Sequence, residues 1–314
     1  MITRRSFLAS FATVALIPQA FAANSNPLKR VKSWMYLLQR LDNTKLIAAL
    51  AKTSYDMLVI EPGIDFKEGA YDAASLVRKL RKKPDGSKRL LLAYIDIGQA
   101  EDFRKYWTDK WKPGILLDAD PDGWTGDVGV TFWHPDWKKV WLGKSGMIAK
   151  LAALGFDGVY LDWIGIYQEP AAIRAAKKQK LNPASEMVRF IGEIRAVKPG
   201  FLVVAQNAVE LIDIPGYSNV IDGLGVEDTW YRGRANAKWT DKGAGDVKPE
   251  GSESTSDKIA AYQKFKNRGL PVFTVDYCVS TKNAARVYRE ARKAKLVPLV
   301  TRVSLDRLSV TPPW

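Results

Sequence analysis

Carboxylates are the residues of this chain best placed to do chemistry, because histidine and cysteine are nearly missing. Its 314 residues contain one histidine, His134, and one cysteine, Cys278. A Ser-His-Asp hydrolase would have to be built on His134, and His- or Cys-rich zinc sites have too few ligands to draw on. The acids recur at one kind of position, the end of a short apolar run. Met57-Leu58-Val59-Ile60 ends in Glu61, Ala93-Tyr94-Ile95 in Asp96, and Val159-Tyr160-Leu161 in Asp162. Leu224-Gly225-Val226 ends in Glu227 and Asp228, Phe273-Thr274-Val275 in Asp276 and Tyr277, and the run 201–205 in Gln206 and Asn207. Taken singly, each acid reads as a helix cap or turn residue. Gathered at one opening they make a carboxylate-lined cleft, where like charges raise some pKa values and leave one group protonated beside others ionised. Trp34, Tyr94, Trp163, Tyr167, Trp230, Tyr231 and Tyr277 stand at or near the same run ends. Flat aromatic faces stack on the C–H faces of sugar rings while acids and amides bind the hydroxyls, so the combination predicts a carbohydrate site.

Such a cleft requires elements that bring the run ends together. Eight candidate strands, 34–38, 57–60, 90–95, 158–161, 201–205, 221–226, 272–275 and 297–300, alternate with helical patterns at 44–52, 73–81, 137–154, 183–197, 257–268 and 281–294. Leu90-Leu91-Leu92-Ala93-Tyr94-Ile95 is continuously apolar, as a strand covered on both faces must be. Eight such units predict an α/β fold, a single (β/α)8 TIM-type barrel over residues 23–314, whose active site lies at the C-terminal strand ends. The irregular stretch 229–256 is then a long loop after the sixth strand, on the catalytic face. An open doubly wound sheet is the alternative, but no G-x-G-x-x-G follows the first strand and no P-loop occurs.

Residues 1–22 read as an export signal of twin-arginine type: Thr3-Arg4-Arg5-Ser6-Phe7-Leu8, an apolar run to Ile17, then Ala20-Phe21-Ala22 as a cleavage site. The predicted location is periplasmic or secreted. No later apolar run approaches the ~20 residues of a membrane span, so stable membrane insertion is not expected. Lys and Arg number 48 against 34 Asp and Glu, a formal charge of +14. That excess attracts polyanions, yet at a Debye length of about 8 Å a cationic sugar in the cleft feels the local acids more than distant lysines. Nucleic acid is not expected as a partner, because the basic residues are not interleaved with exposed aromatics. The runs Arg78-Lys79-Leu80-Arg81-Lys82-Lys83 and Lys177-Lys178-Gln179-Lys180 read as solvated faces, Trp137 and Trp141 as core, Cys278 as a buried inert thiol, and His134 as structural or exposed.

Several of these segments resemble glycoside hydrolase family 114, the endo-alpha-1,4-polygalactosaminidase-like proteins. They are Ala93-Tyr94-Ile95-Asp96-Ile97-Gly98-Gln99-Ala100-Glu101-Asp102, Gly155-Phe156-Asp157-Gly158-Val159-Tyr160-Leu161-Asp162, Gln206-Asn207, Gly225-Val226-Glu227 and Val275-Asp276-Tyr277. Trp34-Met35-Tyr36-Leu37-Leu38-Gln39 and Val297-Pro298-Leu299-Val300 fit the same pattern at the two ends. The resemblance implies a TIM-type barrel outside the cytoplasm that hydrolyses an amino-sugar polymer without metal or other cofactor. It also implies a glutamate where this chain has Gln99. Two carboxylates suffice for glycosidic cleavage. Asp162, short and fixed at a strand end, is the candidate nucleophile, and Glu227, with its longer reach, the candidate acid and base. Tyr94, Asp96, Gln206, Asn207, Trp230, Asp276 and Tyr277 are candidate substrate-binding residues. The reading is therefore an exported, monomeric, endo-acting hydrolase of a galactosamine-containing polysaccharide. Two other readings stay open: a non-catalytic polysaccharide-binding barrel and, with less support, a Mg²⁺-dependent phosphodiesterase.

Overall fold

The computed structural model describes residues 26–249 and 254–309, so the export signal expected over residues 1–22 lies outside the described residues. In chain order the strands are β1 (Trp34–Leu37), β2 (Met57–Ile60), β3 (Leu90–Asp96), β4 (Gln99–Glu101), β5 (Leu116–Ala119), β6 (Asp127–Val130), β7 (Gly158–Asp162), β8 (Leu202–Gln206), β9 (Gly223–Glu227), β10 (Val272–Tyr277) and β11 (Val297–Thr301). The helices are α1 (Thr44–Ala51), α2 (Ala73–Leu80), α3 (Pro135–Trp141), α4 (Met147–Leu154), α5 (Pro170–Lys178), α6 (Pro183–Val197), α7 (Tyr217–Val220), α8 (Thr255–Asn267) and α9 (Thr281–Lys293).

Eight strands, in the order β1-β2-β3-β7-β8-β9-β10-β11, pair in parallel with helices between them, as a (β/α)8 barrel requires. The seam between first and last strands is nearly closed. Trp34 Nε1 donates to the Val297 carbonyl at 3.0 Å, and the backbone N–H groups of Leu38 and Gln39 both donate to Leu305. Rings fill the interior: Tyr36 lies 6.0 Å from Trp34 and 5.2 Å from Tyr160 between centroids. Among the described residues no helix is long and apolar enough to cross a membrane.

Each of the eight expected strands is present, with boundaries moved by a few residues. The expected helix 137–154 is two, α3 and α4, because the glycine-bearing segment 142–146 interrupts it. His134 caps α3, its Nδ1 accepting the Asp136 N–H at 3.1 Å, and Trp137 and Trp141 are core residues. Besides one-turn elements such as α7, two features have no counterpart in the sequence reading. One is α5, entered through Pro170 at the first helical position. The other is the antiparallel sheet β4-β6-β5, inserted between the third and fourth barrel strands.

Candidate active site

The C-terminal ends of the barrel strands surround a cavity of about 680 Å³. Strand alternation decides which side chains reach it, since every second residue of a barrel strand points inward. Tyr94 and Asp96 on β3, Tyr160 and Asp162 on β7, Gly225 and Glu227 on β9, and Val275 and Tyr277 on β10 share that parity. Gly225 is glycine for a local reason: a Cβ there would run into the Tyr160 hydroxyl.

Asp162 and Glu227 meet over one amide. Gln206 Nε2 donates to Asp162 Oδ1 and to Glu227 Oε2, each at 2.7 Å, so these two oxygens lie within twice that length of each other. The amide is oriented from below, where the Tyr36 hydroxyl donates to Gln206 Oε1 at 3.3 Å. Asp162 also accepts the Tyr94 hydroxyl at 2.7 Å and the Trp163 N–H at 2.8 Å. Glu227 also accepts the Tyr277 hydroxyl and, at 3.4 Å, Asn207 Nδ2, while its own N–H donates to Asn207 Oδ1 at 3.0 Å. Every one of these donors is neutral. Burial therefore dominates the titration of the pair: it pushes Asp162 up to about 6 against the Tyr94 and Trp163 hydrogen bonds. Glu227 rises to about 7 through burial and then the Asp162 charge, with the Tyr277 hydrogen bond opposing.

The residues that follow these side chains hold left-handed backbone conformations: Trp163 at φ 51°, Asn207 at 59°, Ala208 at 48° and Asp228 at 57°. Asn and Asp tolerate that region; Trp and Ala do so at a cost of about 1–2 kcal/mol each. Three neighbouring strands thus turn sharply just past the side chain they present, a local strain of the kind that clusters at active sites. Gly98 makes room for one of these turns, because a Cβ there would strike the Trp163 carbonyl.

Tyr94, Asp96, Gln206, Asn207 and Tyr277 line the cavity together with Asp162 and Glu227. Asp96, in register with Asp162, is buried and accepts the N–H groups of Gly98 and Gln99 at 2.9 and 2.8 Å. Burial, then the charges of Asp162 and Glu101, holds it well above the ordinary carboxyl range. Trp230 and Asp276, expected among the substrate-binding residues, do not line the cavity. Asp276 has the opposite parity on β10 and accepts the N–H groups of Trp230 and Tyr231 at 2.6 and 2.9 Å. It anchors the loop after β9, and Trp230 is packed in the core beneath that loop. Gln99 is also absent from the cavity wall: it has no exposed surface and donates to Asp120. Cys278 is buried and its thiol is raised by that burial, as expected of an inert thiol.

The sequence reading placed Glu61 at the opening but missed the arginine that holds it from behind the opposite wall. Arg104 reaches both oxygens of Glu61 at 3.0 and 2.9 Å, both oxygens of Glu101 at 2.7 and 3.2 Å, and Asp65 at 2.9 Å. It also missed Asp122, Trp124 and Asp127 from the inserted sheet, which line the cavity with the loop residue Arg232. In all, nine acids and one arginine face this space. Burial raises Asp127 to about 7, and burial with the charges of Glu227 and Asp276 raises Asp228 to about 9. Among the described residues no group of three or more His, Cys, Asp or Glu side chains is arranged to hold a metal ion.

The model of glycoside-hydrolase family GH114 matches residues 18–313. A protein of Deinococcus radiodurans is 32% identical over 304 residues, 95% of this chain and 89% of its own length. One of Methanocaldococcus jannaschii is 31% identical over 265 residues, 81% of this chain and 68% of its own. Among solved structures, the glycoside hydrolase domain of PelA from Pseudomonas aeruginosa superposes with a TM-score of 0.65 at 17% identity, covering 89% of this chain and 98% of that one. Ega3 from Aspergillus fumigatus, solved in complex with galactosamine, does so at 0.60 and 17% identity, covering 88% and 94%. The chain belongs to glycoside hydrolase family GH114 and is a glycoside hydrolase.

Proposed function

We propose that this GH114 hydrolase cleaves a galactosamine-containing polysaccharide internally, with retention of anomeric configuration, through Asp162 as nucleophile and Glu227 as acid and base. The observation that carries the mechanism is the single amide nitrogen of Gln206 bonded at 2.7 Å to both carboxylates. Retaining enzymes hold their carboxyl groups about 5–5.5 Å apart, whereas inverting ones need about 6.5–9.5 Å to admit a water. One shared donor brings an oxygen of each carboxylate within twice 2.7 Å of the other, which supports the first spacing.

The titration of the pair supports the roles. Burial raises both carboxyls and the Asp162 charge raises Glu227 further, so near neutrality the pair can share one proton, which the longer glutamate presents. Glu227 gives that proton to the glycosidic oxygen as Asp162 bonds to the anomeric carbon and the leaving sugar departs with its electron pair. Esterification removes the Asp162 charge, one of the causes that raise Glu227. Its pKa then falls, and the carboxylate takes a proton from the water that displaces Asp162. The acid-rich cavity suits a sugar carrying an ammonium group, and galactosamine is the sugar bound in the Ega3 structure. The export pattern at residues 1–22 supports action in the periplasm or outside the cell, and the chain is expected to act as a monomer.

The test is reducing-end release by the protein from residue 23 onward, with chelator present, on acetylated and deacetylated galactosamine and glucosamine polymers and one acidic polymer. Proton NMR reads the first anomer formed. Oligosaccharides of retained configuration from a galactosamine polymer, absent with Asp162→Asn and with Glu227→Gln, are expected. Polymer binding without release points instead to the non-catalytic barrel, an inverted first product defeats the nucleophile assignment, and chelator sensitivity revives the metal-dependent reading.

A further inference from the structure

The inserted sheet brings its tip, residues 120–126, to the cavity, where Asp122, Trp124 and Thr125 form part of the wall. Backbone bonds close the base of that tip, from the Asp120 N–H to the Asp127 carbonyl at 3.0 Å and from the Asp102 N–H to the Gly126 carbonyl at 3.1 Å, but do not reach residues 121–125. A relay of side chains does. Gln99 on β4 is fully buried, and its Nε2 donates to Asp120 Oδ1 at 2.7 Å. Asp120, itself buried, turns its other oxygen, Oδ2, to the backbone N–H of Trp124 at 2.8 Å. On the far side Asn236, in the loop after β9, donates Nδ2 to the Gly123 carbonyl at 2.8 Å. The tip is thus tied to the barrel's third crossover by one bond chain and to its sixth by another, and Trp124 keeps 37% of its surface exposed.

The relay depends on position 99 presenting a neutral donor, which an amide does at every pH. Asp120 uses both oxygens as acceptors, so its partner must be a donor that brings no second negative charge into a buried space. We propose that Gln99 is a positioning residue: by donating to Asp120 it fixes the 120–126 tip, and with it the Trp124 indole and the Asp122 carboxylate, as the wall of a sugar-binding subsite beside the reacting bond. The ligand class is one ring of the polysaccharide, its C–H face on the indole and a hydroxyl or ammonium group at the carboxylate. The substrate part of this inference rests on the polysaccharide reading above; the part that concerns the tip does not.

Two variants decide it. Gln99→Glu keeps size and shape but sets a carboxylate against Asp120. Gln99→Glu with Asp120→Asn reverses the pair: the new amide donates to the residue at 99 while its oxygen accepts the Trp124 N–H. Amide hydrogen exchange of the segment containing Trp124, read without substrate, is expected to quicken by about tenfold or more in the single variant and to return to within about threefold of the parent in the double. KM for the polymer is expected to rise by about tenfold in the single variant with kcat within about twofold, and to recover in the double. Unchanged exchange in Gln99→Glu overturns the proposal, as does a double variant no better than the single. Faster exchange with an unmoved KM overturns the subsite, and a higher kcat in Gln99→Glu overturns the positioning role in favour of a missing catalytic acid. If the parent binds polymer without cleaving it, Kd replaces KM under the same expectations. If it neither binds nor cleaves, the polysaccharide reading falls together with the subsite, while exchange at Trp124 still shows whether Gln99 holds the tip.

Discussion

Strand β7 carries an aspartate at each end, Asp157 just before its first residue and Asp162 as its last, and the two live in opposite surroundings. Asp157, at the N-terminal end of the barrel, accepts the Leu91 N–H at 2.9 Å and is ion-paired with Arg81 and, at 2.7 Å, with Lys88. Two more acids repeat that arrangement at the same end. Asp222 accepts the Val203 N–H at 2.9 Å and pairs with Arg195 at 2.7 Å; Asp56 accepts the Lys32 N–H at 2.9 Å and pairs with Lys83 at 3.0 Å. Asp162, at the C-terminal end, has a phenol, an amide and a backbone N–H, with other acids beyond them. An acid held by a cation and by the backbone of the neighbouring strand ties strands together. One held by neutral donors stays near its titration point, where protons and electron pairs move at neutral pH. With Asp162 as the proposed nucleophile, the barrel separates stability at one end from chemistry at the other.

The sharpest way to break this comparison is to make the same substitution at both ends of the strand. Asp162→Asn is expected to lower kcat by roughly 10³-fold or more, about 4 kcal/mol of transition-state stabilisation, without lowering the urea midpoint. A lost midpoint with kcat retained would reverse the assignment of the two ends. Next in size is Arg104→Met, because the Arg104 cluster is the exception, a cation-paired group at the catalytic end. Removing the guanidinium strands Glu61, Asp65 and Glu101 in a buried space, and also takes it from the rings of Phe66 and Phe103, 5.2 and 5.0 Å away. A loss of about 3–5 kcal/mol in urea unfolding is expected. Asp157→Asn follows, at about 1–3 kcal/mol, since its oxygens are partly solvated and the backbone bond can be kept by the amide oxygen. Its kcat at 25 °C is expected within about twofold of the parent, and a larger loss would show that the lower rim reaches the site.

How much of this was legible in the sequence follows the same division. Strand ends were readable because apolar runs that stop at an acid are local patterns, and Asp162, Gln206 and Glu227 needed no further information. Parity within the run was also available: Tyr277, two residues past Val275, has the inward phase, which places its neighbour Asp276 on the other side of β10. The Arg104 cluster was not readable, because it joins residues 61, 65, 101 and 104 across two crossovers and no local period records such pairing. The inserted sheet was hidden by its own chemistry. Gln-Ala-Glu, Leu-Leu-Asp-Ala and Asp-Val-Gly-Val are too short and polar to show alternation, and residues 120–126 between the last two carry turn chemistry. α5 escaped because its last turn, Lys177-Lys178, belongs to a basic run that reads as surface whatever its conformation.

The smallest expected effect tests the comparison through protons alone. Burial and the Asp162 charge lift Glu227 from its ordinary 4.5 to about 7, so the folded state takes up its proton at higher pH than the unfolded chain does. Below about pH 4.5 both states are protonated and the residue carries no penalty; between 4.5 and 7 the unfolded chain ionises first, and stability falls as pH rises. Asp56 has the opposite sign. Burial pushes it up, but the Lys32 N–H and the Lys83 ammonium together outweigh burial and leave it below its ordinary 3.8. Its stabilisation is present above 3.8 and lost as pH falls through the lowered value. Glu227→Gln should therefore gain on the parent by about 1–2 kcal/mol between pH 4.5 and 8, a figure reduced from the full shift because the carboxylate is partly solvated. Asp56→Asn should instead lose ground by several tenths of a kcal/mol as pH rises from about 3 to 6. Urea midpoints of the three proteins across pH 3–8 measure both slopes. The constant cost of turning an amide toward the Gln206 donor cancels from the Glu227→Gln slope, which leaves only the proton difference. Slopes of the same sign would mean that the two ends of the barrel do not treat a carboxylate differently.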